Sequence, residues 1–192
     1  MLNKPNGKAM KLLTDRILDE VNRTVGLVSQ EAAEQLVERI LKSRKIFAAG
    51  AGRSGLMMRA FAMRLMHLGF EAYVVGESVT PGLTQEDLLL IGSGSGETRS
   101  LLAMAEKAKS IGAAVALVTI KPESAIAQRS DVIVRLPAAA KEAADDGSTT
   151  IQPMGTLFEQ SLLLLLDAIV LELMERKELD GSAMFGRHAN LE

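Results

Sequence analysis

The sequence predicts an α/β protein in three layers, a five-stranded parallel sheet with helices on both faces. Three observations carry that prediction. Short runs that are apolar nearly throughout, such as Lys45-Ile46-Phe47-Ala48-Ala49, suit strands buried on both faces. They alternate with longer stretches whose apolar residues recur at helical spacing. Glycines mark many of the joints, and no linker or solenoid-type repeat interrupts the series. One domain over 1–192 is expected, with residues 1–44 forming N-terminal helices that pack on it and on neighbouring subunits.

The first helix is expected from about Lys8 to Gly26, where Leu12, Leu13, Ile17, Val21 and Val25 fall near helical spacing. Ser29 caps a second helix through Leu41, whose stripe is Ala33, Leu36, Val37 and Ile40. The first strand, Lys45–Ala49, follows. A helix from Ser54 to about Leu68 is closed by Gly69. Then come a strand at Ala72–Val75, a loop at Gly76–Gln85 and a strand at Asp87–Ile91. A helix over Glu97–Ile111 ends at Gly112, and a strand at Ala114–Thr119 leads to a short helix at Ser124–Arg129. After a strand at Val132–Val134 and a polar loop at Lys141–Thr150, a long helix runs from Thr156 to about Lys177.

Composition narrows the function. The chain has 192 residues, 47% hydrophobic and 24% charged, with a net charge of -2, which is a globular balance. No basic cluster neutralises phosphates along a nucleic acid, and the few aromatics are scattered rather than set as a stacking platform. There is no cysteine, which excludes disulfides and thiolate chemistry. The two histidines, His67 and His188, lie far apart, so no metal site is expected. The longest apolar run, Leu162–Leu166, is too short for a bilayer and no signal-type apolar region follows the N-terminus. A cytoplasmic protein without membrane or nucleic-acid partners is expected.

In a parallel sheet, ligands sit at the carboxyl ends of strands, so the loops after strands are where chemistry belongs. The first is Gly50-Ala51-Gly52-Arg53-Ser54-Gly55. With Glu77 after the next strand it matches a dinucleotide fingerprint, and equally a glycine turn that packs helix on sheet. The second is Gly92-Ser93-Gly94-Ser95-Gly96-Glu97-Thr98, again at a helix start. Small residues admit an anion to the backbone, and the first helical N–H groups are unpaired and point at it. An ordinary N-cap at Ser95 does not explain three hydroxyls and three glycines in seven residues. Two such loops flank one cleft, where a dinucleotide's pyrophosphate needs one. Glu97 is the awkward member, placed beside an anion and expected to face solvent.

The third loop, Gln152-Pro153-Met154-Gly155-Thr156-Leu157-Phe158-Glu159, opens the long helix. Thr156 and Glu159 have capping-box spacing, so Glu159 reads as a structural carboxylate or as a general base mounted on a rigid helix end. His67 reads as a structural helix-end residue. His188, in the tail Arg187-His188-Ala189-Asn190-Leu191-Glu192, matters only if that tail docks on a neighbouring subunit. The stripe Met57, Met58, Phe61, Met63, Leu65 and Met66 carries more apolar surface than contact with the sheet needs, which points to subunit contacts.

Taken together, these stretches resemble the sugar isomerase (SIS) domain family, and most closely its 6-phospho-3-hexuloisomerase branch. The matching segments are AGAGRSGLMMRAFAMRLMHLGFEAYVVGESVTP (49–81), IGSGSGET (91–98), TIQPMGTLFEQ (150–160) and RHANLE (187–192). The Ser-x-Ser-Gly-x-Thr cradle indicates the wider family; AMRLMHLG, the VGE-x-x-TP segment and the HANLE ending indicate the branch. The resemblance implies a flavodoxin-like sheet, a homotetramer, and interconversion of D-arabino-hex-3-ulose 6-phosphate and fructose 6-phosphate in the ribulose monophosphate pathway of formaldehyde assimilation, with no cofactor and no metal. It places the phosphate cradle on Ser93, Ser95, Gly96 and Thr98, with Gly52 and Ser54 beside it, the base on Glu159, and a helper at His188 reaching across a subunit boundary.

The chemistry fits those residue types. Moving a ketone from C3 to C2 takes a proton from C2 and returns it to C3 through an enediolate, which one carboxylate over both carbons can serve. Donors must hold the enediolate oxygens. A 3-ketose phosphorylated on O6 cannot close the hemiketal ring that oxygen would form, so the forward substrate is open-chain. Alternatives are another aldose–ketose phosphate isomerase, a non-catalytic sugar-phosphate sensor and a dinucleotide-dependent dehydrogenase. A sensor of the regulator kind would carry a DNA-binding module, for which about forty residues before the first strand leave little room, and the dehydrogenase lacks a substrate domain.

Overall fold

Every apolar run expected to be a strand is one. The computed structural model describes residues 7–138 and 150–191. Its strands are β1 (Lys45–Gly50), β2 (Glu71–Val74), β3 (Leu88–Gly92), β4 (Ala114–Thr119) and β5 (Val132–Arg135). They form one parallel sheet in the order β2-β1-β3-β4-β5. The helices are α1 (Gly7–Gly26), α2 (Gln30–Lys42), α3 (Gly52–His67), α4 (Arg99–Ile111), α5 (Thr156–Arg176) and α6 (Gly181–Phe185). The expected helix over Ser124–Arg129 is shorter, a single 3-10 turn at Ala127–Arg129. The polar loop expected at Lys141–Thr150 lies almost wholly outside the described residues.

Alternation along each strand divides the core in two. Ile46, Ala48, Leu88, Leu90, Ala116 and Val118 face one side, where α2, α3 and α5 pack and α1 lies against α5. Phe47, Ala49, Leu89, Ile91, Val115 and Leu117 face the other, covered by Leu101, Ala105 and Ala108 of α4 and by the 3-10 turn. Helices on both faces bury the whole middle of the sheet, which is why β3 is apolar at every position before its glycine. Ser29 caps α2 as expected, its Oγ accepting from the Ala32 N–H at 3.3 Å, a bond worth about 1 kcal/mol.

The strand order sets the position of the cleft. From β1 the chain crosses to β2 on one side, and from β3 it crosses to β4 on the other. The loops that leave β1 and β3 therefore diverge, and a crevice opens between them. Register sharpens this: Gly50 pairs with Gly92, so both loops depart from neighbouring strands at the same level. A Cβ on Gly55 would lie 2.7 Å from the Gly50 carbonyl oxygen, so the glycine pair lets α3 start directly against β1.

Half of the methionine-rich stripe on α3 is core. Met58, Phe61 and Leu65 are buried, whereas Met63 and Met66 are exposed together with Leu56, one helical face further round. Among the described residues no helix is long and apolar enough to cross a membrane.

Candidate active site

At the crevice lies a cavity of about 450 Å³, lined by Gly52 and Ser54 from the first loop, Ser93, Ser95 and Thr98 from the second, and Glu159 from the start of α5. Five of the six expected binding positions and the expected base thus share one space. They come from three segments separated by dozens of residues in the chain.

The turn after β3 is held from behind. Ser93 is buried, and its Oγ accepts from the Gly96 N–H at 3.2 Å. The Gly94 carbonyl accepts from the Ile120 N–H at 3.1 Å and the Thr119 hydroxyl at 3.2 Å, and the Gly96 carbonyl accepts from the Ile126 N–H at 3.0 Å. Gly96 itself does not line the cavity. Its N–H is committed to Ser93, and it has a φ of 63° with Ser124 packed against its Cα. It lies behind the turn after β3 and shapes it. Ser95 Oγ accepts from the Glu97 N–H at 3.3 Å. The Glu97 carboxylate is tied to the far loop, where Oε1 accepts from the Ala125 N–H at 2.9 Å, so α4 begins at Arg99 rather than at Glu97. Thr98 occupies the N-cap position of α4 without making a side-chain capping bond. Thr98 itself lines the cavity, and the first amides of a helix, having no partner within it, suit an anion in general.

The capping box at the start of α5 does not form. Gly155 is the N-cap and makes no side-chain capping bond. Thr156, the first helical residue, donates its hydroxyl to the Pro153 carbonyl at 2.7 Å. Glu159, 6% exposed, directs Oε2 instead to Arg53 Nη1 at 3.0 Å, and the same nitrogen donates to Thr156 Oγ1 at 3.0 Å. Arg53 thus orients a buried carboxylate that lines the cavity. Sequence reading passed over Arg53, although it sits within the first glycine loop, and also Lys121, the second residue after β4, whose half-buried side chain lines the same cavity. The rule that sites follow strand ends, applied to β4 as well, points to Lys121.

His188 is not among the lining residues. Its ring stacks on His67, centroids 5.4 Å apart, while Arg187 donates to the His67 carbonyl at 3.2 Å. His67 ends α3, whose first residue, Gly52, lines the cavity; a helix of 16 residues puts those ends about 24 Å apart. Within one chain His188 therefore sits at the end of α3 remote from the cavity. Burial holds the His67 imidazole below its ordinary pKa, and the neighbouring charges of Arg64 and His188 add to that. Glu77, the acid of the dinucleotide reading, is exposed and paired with Arg59. Among the described residues no three His, Cys, Asp or Glu side chains gather as a metal-ligand set.

A family model, the SIS domain, matches residues 39–164. A 3-hexulose-6-phosphate isomerase of Bacillus subtilis is 55% identical over 176 residues, 92% of this chain and 95% of that protein. One from Mycobacterium gastri is 42% identical, spanning 92% and 88% of the two chains. The crystal structure of a Methanococcus jannaschii protein, for which a molecular function of 3-hexulose-6-phosphate isomerase was inferred, superposes with a TM-score of 0.79 at 36% identity, covering 96% of this chain and 99% of that one. With its family model matched over the whole sheet and both glycine loops, and relatives of this identity along nearly its whole length, the chain belongs to the SIS domain family.

Proposed function

We propose that this protein is a phosphosugar ketol-isomerase that interconverts D-arabino-hex-3-ulose 6-phosphate and D-fructose 6-phosphate. The observation that carries the reading is the shared cavity: an anion cradle at the start of α4 and a buried carboxylate at the start of α5 face one space. The likeness to isomerases of this specificity over 92% of the chain supports the choice of substrate. The cradle of Ser93, Ser95 and Thr98 takes the phosphate, with Ser54 beside it and Lys121 adding positive charge. The sugar then extends toward Glu159. Glu159 removes the C2 proton, and the enediolate is held by backbone amides and the Ser54 hydroxyl. The same carboxylate returns the proton to C3 while a proton passes from O2 to O3, which exchanges the hydroxyl and ketone between the two carbons. Arg53 fixes the carboxylate's direction, which serves a base that must reach two adjacent carbons.

A non-catalytic sensor needs the cradle but has no use for an oriented buried carboxylate, and that is what favours the enzyme. A coupled assay supplying hexulose 6-phosphate and detecting fructose 6-phosphate is expected to show turnover by the purified protein without added metal or nucleotide. Binding of the sugar phosphate without turnover would assign the chain to the sensors.

The assembly belongs to the same reading. Leu56, Met63 and Met66 along α3 and Leu164 and Leu171 along α5 are between 39% and 62% exposed, and such faces are buried in obligate oligomers. A cytoplasmic homotetramer in which the tail carries His188 into a neighbour's cavity reconciles that residue's distance from its own. Truncation after Gly186 is expected to remove most activity while a tetrameric mass by light scattering and the melting temperature are retained. A truncated enzyme with full turnover in both directions would end the role of His188, and a monomeric mass at micromolar concentration would end the assembly.

A further inference from the structure

We infer that Glu20, on the N-terminal helix α1, is a positioning residue for the reaction: it clamps residues 150–152 and so sets where the substrate-facing end of α5 meets the cavity. The inference rests on Glu159 acting in that cavity and adds a residue from a helix otherwise given only a packing role.

Glu20 is 8% exposed, and an unpaired carboxylate at such a place would be strongly destabilising. Three donors meet it. Oε2 accepts from Thr150 Oγ1 at 2.6 Å and from Gln152 Nε2 at 3.0 Å, and Oε1 accepts from the Ile151 N–H at 2.9 Å. The Thr150 hydroxyl in turn accepts from the Gln152 N–H at 3.0 Å. Burial pushes the Glu20 carboxyl up, but these bonds and the charge of Arg23 outweigh it, and the group sits below the ordinary glutamate range. The clamp is thus in place as a carboxylate at neutral pH.

What it holds leads directly to the site. Pro153, the next residue, accepts from both the N–H and the hydroxyl of Thr156. Met154 follows with a φ of 58°, a left-handed conformation that a side chain disfavours, and Gly155 enters α5. A strained residue persists when the segments on both sides are held; Glu20 holds one side and Thr156 the other. Thr156 then receives Arg53, the same guanidinium that orients Glu159. An unbroken series of bonds runs from Glu20 to the base. The packing of α1 on α5 does not require it, since Val21 and its apolar neighbours make that contact themselves.

The test separates positioning from plain support. Glu20→Gln still accepts from Ile151 but turns an amide donor toward the donors of Thr150 and Gln152. It is expected to lower kcat by about 10- to 100-fold, the cost of a displacement near 1 Å, with KM and the affinity for inorganic phosphate unchanged. Adding Gln152→Glu restores a donor–acceptor pair and is expected to recover most of kcat. Unchanged kcat, phosphate affinity falling in step with kcat, or no recovery in the double variant would overturn the inference. Should Glu20→Gln fail to fold, Thr150→Val deletes one bond and is expected to lower kcat in the same selective way while Thr150→Ser does not; equal kcat in that pair also overturns it. Amide exchange needs no substrate: loss of the clamp is expected to speed exchange across 151–159 and not at 93–98, and unaltered exchange at 151–159 refutes the clamp whatever the substrate is. Absence of hexulose phosphate turnover in the wild-type protein would instead count against the proposed function.

Discussion

Glu159→Gln is expected to lower kcat by roughly 10²–10⁴-fold with folding and phosphate affinity intact. The amide keeps the shape of the carboxylate, and its oxygen still accepts from Arg53 Nη1, which lies 3.0 Å from Oε2 in the native protein. Packing on the 6%-exposed side chain is preserved. What is lost is the ability to take a proton. A carboxylate that served only the helix end would show the opposite pattern, near-normal turnover with stability lower by about 1 kcal/mol. Isotope adds a second measurement: product formed from hexulose 6-phosphate in heavy water is expected to carry deuterium at C3, because a solvent-exchanged carboxylate returns the proton there. Normal kcat in the Gln variant would exclude Glu159 as the base. Glu77 is then no ready substitute, being exposed and paired with Arg59.

Gly96→Ala is expected to dismantle the cradle. At a φ of 63° a Cβ costs about 1–2 kcal/mol by itself. That Cβ would also stand 1.9 Å from Ser124 Oγ and 2.5 Å from Ser124 Cβ. Ser124 cannot yield easily, since it is 3% exposed and its N–H is bonded to the Lys121 carbonyl. The turn must therefore shift toward the cavity, and the Ser93 and Ser95 hydroxyls leave their places. Losing one charge-assisted bond of about 1.5–3 kcal/mol predicts phosphate affinity weaker by about tenfold or more, together with a lower melting temperature. Pairing it with Ser124→Gly removes the overlap but not the strained φ, so affinity should return while part of the stability loss remains. Native affinity and melting temperature in Gly96→Ala would show that the turn does not depend on this glycine.

Much of the molecule was legible along the chain because it depends on neighbours a few residues apart. Apolar runs, helical spacing, the cap at Ser29 and the glycines after strands are local signals. They placed the helices and strands in order, and they marked both anion-type loops and Glu159. Where local signals failed, a partner distant in sequence had taken over. The capping box between Thr156 and Glu159 was lost to Arg53, 103 residues from Thr156. The start of α4 moved to Arg99 because Glu97 bonds to Ala125. Gly96, absent from the lining of the cavity, is instead backed by Ser124 of the loop after β4, which leaves no room for a side chain there.

By itself, then, the sequence determined the alternation of strands and helices and the two glycine loops, since burial pattern and backbone preference are properties of short segments. Tertiary structure alone decided that these loops lie side by side, through the pairing of Gly50 with Gly92. It also decided that Arg53 aims Glu159, that Lys121 joins the cavity, that Glu20 reaches a loop 130 residues away, and that His188 stacks on His67 far from its own chain's cavity. Each of these is a meeting of side chains from separate elements, and the direction of a side chain is set only when the elements around it have packed.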